Sequence, residues 1–496
     1  MSADPDIGLH RRQYVVGARP HRLGPGWSAI VLPSGLVVSH CPELPLARAT
    51  DADGITWLLL GLAGQTRPDR PDPVDELATS PTAAVGRVVE GWAGRWTLIG
   101  NGELHPDATA QLTCHWMIDD DGSVLASSSP AILGELSPEH RDEPRDLVYE
   151  RGLSWVVPPL GTLDGARRLL PSQRLDLIDR TARWRRLVVP PAELTLARLD
   201  DETAMTAFVE AVGQAMLRAP GDGPRHLGLT AGADSRLVLA AALAAGVDIA
   251  PYTRISARMS VADRVVPPRL AAAVGLDHRR VSGRPADPDR LRLARAHTGG
   301  HVSDGDALPF VEGVRDHFTG IEFGGQGLGV GKVKERVLPA EIDDPAALSA
   351  LLADHVGEPA GTVNRSALTA WLTSVAEHQD GQDPADRVDW RDRFYIEQRL
   401  AGWQAAKEQL YDLNRHHRMI PINSARTIGL LLAVDPERRR TGDHRRQLIA
   451  LADERLLAEP FNPPGATFGL ATQLAHGLAV DRVGLVRRVR RRLRRA

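Results

Sequence analysis

Four residues, Thr230, Gly232, Asp234 and Ser235, stand within one six-residue turn of "LGLTAGADSRLVLAAALAAG" (Leu227 to Gly246), and their types suit the handling of phosphate. Two hydroxyls can donate hydrogen bonds. Glycine lets a backbone come close to an anion, and the N–H groups opening the following helix point outward. Asp234 is the odd member, because a carboxylate repels phosphate unless a divalent cation lies between them. A Mg2+-bound polyphosphate reconciles the set. The plainer reading is a strand-to-helix turn in which Asp and Ser cap the helix and Gly supplies backbone freedom.

The elements around the turn must place it at a sheet edge. An apolar strand "HLGLT", the turn, an alanine-rich helix, a strand "IAPYTR", a helix "VADRVVPPRLAAAVG" and a run "LDHRRV" follow one another, the alternation of a parallel α/β sheet. In such sheets ligands bind beyond the carboxyl ends of the strands. Upstream, Trp27 to about Val189 reads as short alternating β runs, and "DDDG" at Asp119 to Gly122 predicts a hairpin. The connector "VVPPAEL" then gives way to helical periodicity with Asp200 or Asp201 as the helix cap, which sets a boundary near residue 190. From about Pro339 to Leu456 the pattern is mostly helical. The expected organisation is a β-rich unit over 1–190, an α/β unit over 191–480 and a basic tail over 481–496.

Composition narrows the classes. Apolar residues are 43%, charged residues 25% and the formal net charge is -3, values that suit a folded multidomain chain and exclude a general nucleic-acid binder. Only Lys332, Lys334 and Lys407 are lysine among 60 basic residues. Cys41 and Cys114 are too few for a disulfide framework or a four-cysteine zinc site. No leader pattern and no run of about 18 apolar residues is present, so a cytoplasmic protein is expected.

The order "LTAGADSR", "YTR", "ADRVVPPRLAAAVGLDHRRV" resembles the asparagine-synthetase family of ATP pyrophosphatases, whose first strand ends in Ser-Gly-Gly-x-Asp-Ser. Thr230 and Ala231 stand where Ser and Gly are usual, and Gly232, Asp234 and Ser235 match. The stretches "WAGRWTLIG", "GSVLASSSPAIL" and "RRLLPSQRLDL" are similar to the degenerate glutamine-amidotransferase domain that precedes the synthetase domain in such proteins, so the resemblance spans roughly residues 25–460. It implies an N-terminal two-layer Ntn-type β-rich domain and a HUP-like α/β ATP-pyrophosphatase domain with a helical C-terminal half. It further implies that ATP is gripped by Leu229, Thr230, Ala231, Gly232, Asp234, Ser235 and Arg236, with Asp234 on Mg2+ and Thr253 lining the adenine pocket. Gly324 and Gly325 of a second glycine-rich loop, "EFGGQGLGVGKVKER", complete the ATP site in this reading.

Three departures accompany the resemblance. The chain opens Met1, Ser2, Ala3 where active glutaminases of this type expose a cysteine, so no glutamine hydrolysis is expected. The second loop has no carboxylate between Glu322 and Glu335, and Lys332 is the candidate for supplying that charge; a flexible surface loop is the alternative. The family's later catalytic lysine falls near "FYIEQRLAGWQAAKEQL", where Glu397 and Arg399 are present and Lys407 lies a turn or two further along.

Around these, His301 and Asp304, with His297 and Asp306, are candidates for a substrate cleft, though their spacing matches no metal motif. Arg426 in "PINSART" is either a bidentate carboxylate ligand or part of a helix start capped by Asn423 or Ser424. Asp263 is expected to cap its helix or pair with Arg264 or Arg269. The terminal "DRVGLVRRVRRRLRRA" carries eight arginines and reads either as a solvated tail or as a basic amphipathic helix making weak membrane-surface contact. The expected activity is ATP-dependent, AMP- and pyrophosphate-forming amide synthesis from a small-molecule or peptide carboxylate and an amine, with ATP and Mg2+ as cofactors, no specific nucleic acid and a homodimer among the assemblies considered. The alternative is a catalytically impaired nucleotide-binding or scaffold protein recruited to a membrane or biosynthetic assembly.

Overall fold

The computed structural model describes residues 8–137, 155–190, 193–194, 200–256, 259–331, 361–380, 382 and 387–477. They form a mixed α/β structure with two antiparallel sheets, one parallel sheet and accompanying helices. Lys332 and the arginine tail 481–496 lie outside the described residues.

The first half is a face-to-face pair of six-stranded sheets. Period-two alternation explains the packing, as strand Thr56–Gln65 shows: Leu58 and Leu60 enter a core shared with Tyr14, Val38 and Leu104, while Trp57, Leu59 and Ala63 pack on the opposite face with Trp92, Trp96 and Leu77 of helix Pro73–Thr79. Both faces are therefore covered, and the strand is buried almost end to end. The expected hairpin forms between His115–Ile118 and Val124–Ser127, closed by the N–H of Gly122 to the carbonyl of Asp119 at 2.9 Å, with Gly122 at φ +74°.

The second half is built on five parallel strands in the spatial order Arg279–Ser282, Ala250–Ile255, Arg225–Gly228, Ile321–Phe323, His417–Met419. Numbered along the chain, that is third, second, first, fourth, fifth, so the order reverses between the first and the fourth. Helix Asp201–Leu217 opens this half, its N-cap Asp200 accepting from the Thr203 N–H at 2.7 Å. It packs with Ala233–Ala244 and Asp443–Asp453 around Phe208, Val212, Leu237, Val238, Leu448 and Ile449. No helix among the described residues is long and apolar enough to cross a membrane.

The halves meet along a tight seam. Arg95 reaches Asp412 with Nη2 to Oδ2 at 2.9 Å, Gln13 donates to the same carboxylate at 2.6 Å, and Asn423 donates to the carbonyl of Gly94 at 2.6 Å. Gly64 lies where a Cβ would overlap the carbonyl of Ala215 and press on the Met419 methyl. The Gly64→Ala variant is accordingly expected to lose about 1–3 kcal/mol of stability through overpacking, measured by urea unfolding.

Candidate functional site

A cavity of about 670 Å³ opens beyond the carboxyl ends of the first, second and fourth strands of the parallel sheet. Gly228, Leu229 and Thr230 leave the first strand into it, Tyr252 and Thr253 stand on the second, and Phe323, Gly324 and Gly325 leave the fourth. The reversal of strand order falls between the first and fourth strands, and the two chains diverging there leave the crevice that open α/β sheets use for ligands. The facing wall comes from the segment Tyr395–Gln404 and from Lys407 and Asp306.

The first loop is fastened from behind. Thr230 N–H donates to Ser235 Oγ at 3.0 Å, Gly232 N–H to Thr230 Oγ1 at 3.2 Å, and Ala231 N–H to Asp263 Oδ1 at 2.9 Å. The other oxygen of Asp263 accepts from Ser260 Oγ at 2.9 Å, which caps helix Val261–Ala273, so one carboxylate ties the helix start to the loop. Helix Ala233–Ala244 begins at Gly232 with no side-chain cap, and Asp234 and Ser235 of its first turn line the cavity. A Cβ on Gly325 would stand 3.3 Å from the Asp234 carbonyl, so the second glycine loop lies directly over this turn.

That second loop is held by Arg418. Its guanidinium donates to Gln326 Oε1 at 2.8 Å and to Glu408 Oε2 at 3.1 Å and pairs with Glu322 Oε1 at 2.7 Å. Burial would raise the Glu322 carboxyl, yet the charges of Arg315 and Arg418 hold it well below the usual carboxylate range. A side chain at 324 would strike Gln326 and Arg418, and one at 329 would overlap the hydroxyl of Tyr395. Burial, reinforced by the charge of Asp234, pushes the Tyr395 hydroxyl up to about 12, so it stays protonated at neutral pH.

Opposite the loops stands a cationic wall. The Arg399 guanidinium lies 4.3 Å and the Lys407 ammonium 4.7 Å from the Trp403 ring centroid. Asp306 accepts from Trp403 Nε1 at 3.1 Å and lies 3.4 Å from Lys407 Nζ, which fixes both against the cavity. Burial lowers the Lys407 ammonium from its ordinary value, and Asp306 opposes that shift. Tyr395–Gln404 is π-helical, a form that recurs at functional positions. The N-terminal half holds its carbonyls, with Gln111 Nε2 on Leu400 at 3.0 Å and Arg168 Nη1 on Gly402 at 3.2 Å.

Of the residues singled out from sequence, Leu229, Thr230, Asp234, Ser235, Thr253, Gly324, Gly325 and Arg399 line the cavity. Others do not. Arg236 is turned beneath the loop onto main-chain carbonyls of Ala231 and Leu456, each at 3.0 Å, so it supports the turn and is not on the cavity wall. Ala231 is buried, and its N–H and that of Gly232 are already bonded within the protein. Glu397, offered as catalytic, is fully buried on Ser172, Trp371 Nε1 at 2.6 Å and Arg393, away from the cavity. His301 is buried against His115, with ring centroids 5.3 Å apart, and Asp304 pairs with Arg295 at the surface. Arg426 follows a Ser424 capping box, the structural role weighed for that segment, and stays off the cavity.

Lys407, placed a turn or two too far along from sequence, is on the wall. Asp263, expected to cap its helix or pair with Arg264 or Arg269, instead holds Ala231 and Ser260, which is the cap, and borders the cavity. Arg315, Tyr395 and Arg418 were missed as cavity residues; the scarcity of lysine pointed to Lys407, whereas the two arginines were hidden among many. Among the described residues no group of three or more His, Cys, Asp or Glu side chains could hold a metal ion. No family model matches the chain, and no curated protein matches it.

Proposed function

We propose that this is an ATP-dependent, AMP- and pyrophosphate-forming amide synthetase of the asparagine-synthetase type, with an Ntn-type first half and a HUP-type second half. The observation that carries the reading is the cavity at the strand-order reversal, where an uncapped helix start bearing Asp234 faces Arg399 and Lys407. In the reaction a carboxylate oxygen attacks the α-phosphorus and pyrophosphate departs. An amine then attacks the acyl carbon, loses a proton, and AMP leaves.

The residues fit a nucleotide. Ser235 of the helix start, Gly325 of the second glycine loop and Thr253 of the neighbouring strand border the pocket, Arg399 offsets charge on the departing pyrophosphate, and Lys407 offsets the charge that develops at the acyl centre. Mg2+ commonly takes one or two carboxylates besides phosphate oxygens and water, so Asp234 fits as its protein ligand, and the ion would neutralise phosphate charge when bound. Both oxygens of Asp263 are committed to Ala231 and Ser260. The first half acts in this proposal as the clamp on Leu400 and Gly402, and the amine comes from a source other than glutamine hydrolysis in this chain.

One observation favours the second reading, a nucleotide-binding protein without turnover: Tyr395 fills the space at Gly329, so the second loop presents no carboxylate there. Calorimetry of ATP with and without Mg2+, followed by ATP–pyrophosphate exchange over a panel of carboxylates, separates the two. Mg2+-dependent binding with exchange supports the synthetase. Binding without exchange on any acid favours the non-catalytic protein, and no binding removes both.

A further inference from the structure

A second cavity, of about 500 Å³, lies in the N-terminal half between the helical run around Val85–Glu90 and the sheet strands that carry Glu103, His105 and Arg174. It shares no residue with the nucleotide cavity. Four arginines line it, and their states differ. Arg186 is paired with two carboxylates, with Nε on Glu90 at 3.0 Å, Nη2 on the same carboxylate at 2.5 Å and Nη1 on Glu193 at 2.5 Å. Arg174 pairs with Glu103 through Nη1. The two carboxylates in the lining are thereby neutralised.

Arg185 and Arg87 are the remainder. Arg185 reaches only main-chain carbonyls, Pro171 through Nε at 2.8 Å and Asp107 through Nη2 at 2.9 Å, which leaves its Nη1 without a protein partner among the described residues. Burial draws the Arg185 guanidinium down to about 10, against the charges of Asp107 and Glu90, so it remains a cation. Arg87, exposed on the opposite lip, makes no hydrogen bond or ion pair among the described residues. At the inner end His105 gives Nε2 to Glu103 at 3.0 Å, while its buried Nδ1 has no partner. A half-buried guanidinium fixed by carbonyls and lacking a carboxylate is a charge held in place for an incoming anion.

We propose that this cavity is a second ligand site, for a small phosphate-bearing molecule. Arg185 supplies the fixed contact, and Arg87 and the remaining donors of Arg174 line the same cavity, more positive charge than a monoanion needs and enough for a phosphate dianion. A planar monocarboxylate would neutralise only one of these charges.

Inorganic phosphate is the probe, with pyrophosphate as a second, in equilibrium dialysis at fixed ionic strength on the full chain. The expected result is that Arg87→Ala and Arg185→Met each weaken one class of phosphate sites about tenfold or more, whereas Arg399→Ala leaves that class unchanged. Arg87 is exposed, so its variant keeps the test valid should Arg185→Met fold poorly. Isotherms identical to wild type in Arg87→Ala overturn the site. Preferential binding of malonate over phosphate, lost in the same variants, overturns the ligand class. Because neither arginine lies on the nucleotide cavity, failure here leaves the synthetase reading standing, and the reverse holds.

Discussion

Lys407→Met is expected to lower amide formation by about 10²–10³-fold, the loss typical when a fixed charge facing a developing anion is removed. ATP–pyrophosphate exchange should fall less, and Asp234→Ala should abolish exchange altogether. The split follows from position. Asp234 sits in the first helical turn beside the loop proposed to meet phosphate, whereas Lys407 stands across the cavity, pinned by Asp306 at 3.4 Å and by the Trp403 face. Burial lowers its pKa, Asp306 beside it opposes this, and methionine replaces the amine at similar length. Measured as kcat and KM separately, the change should fall mainly on kcat. Equal loss of exchange and amide formation would place Lys407 in nucleotide binding instead, and wild-type rates would remove it from the chemistry.

Much of the architecture was legible in the sequence because local signals agreed there. The Asp200 cap, the "DDDG" hairpin and the first three parallel strands each rest on a pattern contained within a few residues. The fifth strand, His417–Met419, was not legible: three residues amid histidines and arginines carry no apolar alternation, and they become a strand only by pairing with Ile321–Phe323. The site shows the same division. The first loop could be read from its residue types, but Arg236, two residues past Asp234, points about 200° round the helix and away from the cavity. Spacing misled again at Lys407, because π-helical hydrogen bonding through Tyr395–Gln404 changes the residues per turn on which such a count depends. Glu397 occupies the same segment but faces the seam with Ser172, a partner 225 positions away that no local pattern shows.

The seam makes stability depend on pH through imidazoles that stay neutral. His115, His297 and His301 are buried at the junction of the halves. Burial, followed by the charge of Arg168, drives His301 down to about 3 and His115 well below its ordinary value; burial and then the neighbouring His10 bring His297 to about 3. Arg95 and Arg11 also act against a proton on His297, while Gln13 Nε2 lies 3.3 Å from its ring and Asp412 Oδ2 4.0 Å. Each folded pKa is below the unfolded value of about 6.5, so the unfolded chain binds the extra proton first. Stability is therefore complete above about pH 6.5 and falls as pH drops towards 3, by about 1.4 kcal/mol per pH unit for each imidazole. Asp392, raised to about 6 by burial, opposes with one group below that pH, and Asp107 and Asp412, also raised by burial, add to the opposition in the carboxylate range. These three imidazoles, set against Asp392, are expected to cost about 3–5 kcal/mol between pH 6.5 and 5, a large share of the 5–15 kcal/mol typical of a folded domain, and His278 and His417, lowered by burial to about 4 and about 3, add to the loss. Urea unfolding at pH 7.5, 6.5, 5.5 and 5.0 measures it, and His301→Gln should flatten the acid limb by about 1.4 kcal/mol per pH unit. A curve level from pH 7.5 to 5.5 would mean that water reaches these rings in the folded protein and that the seam opens without unfolding.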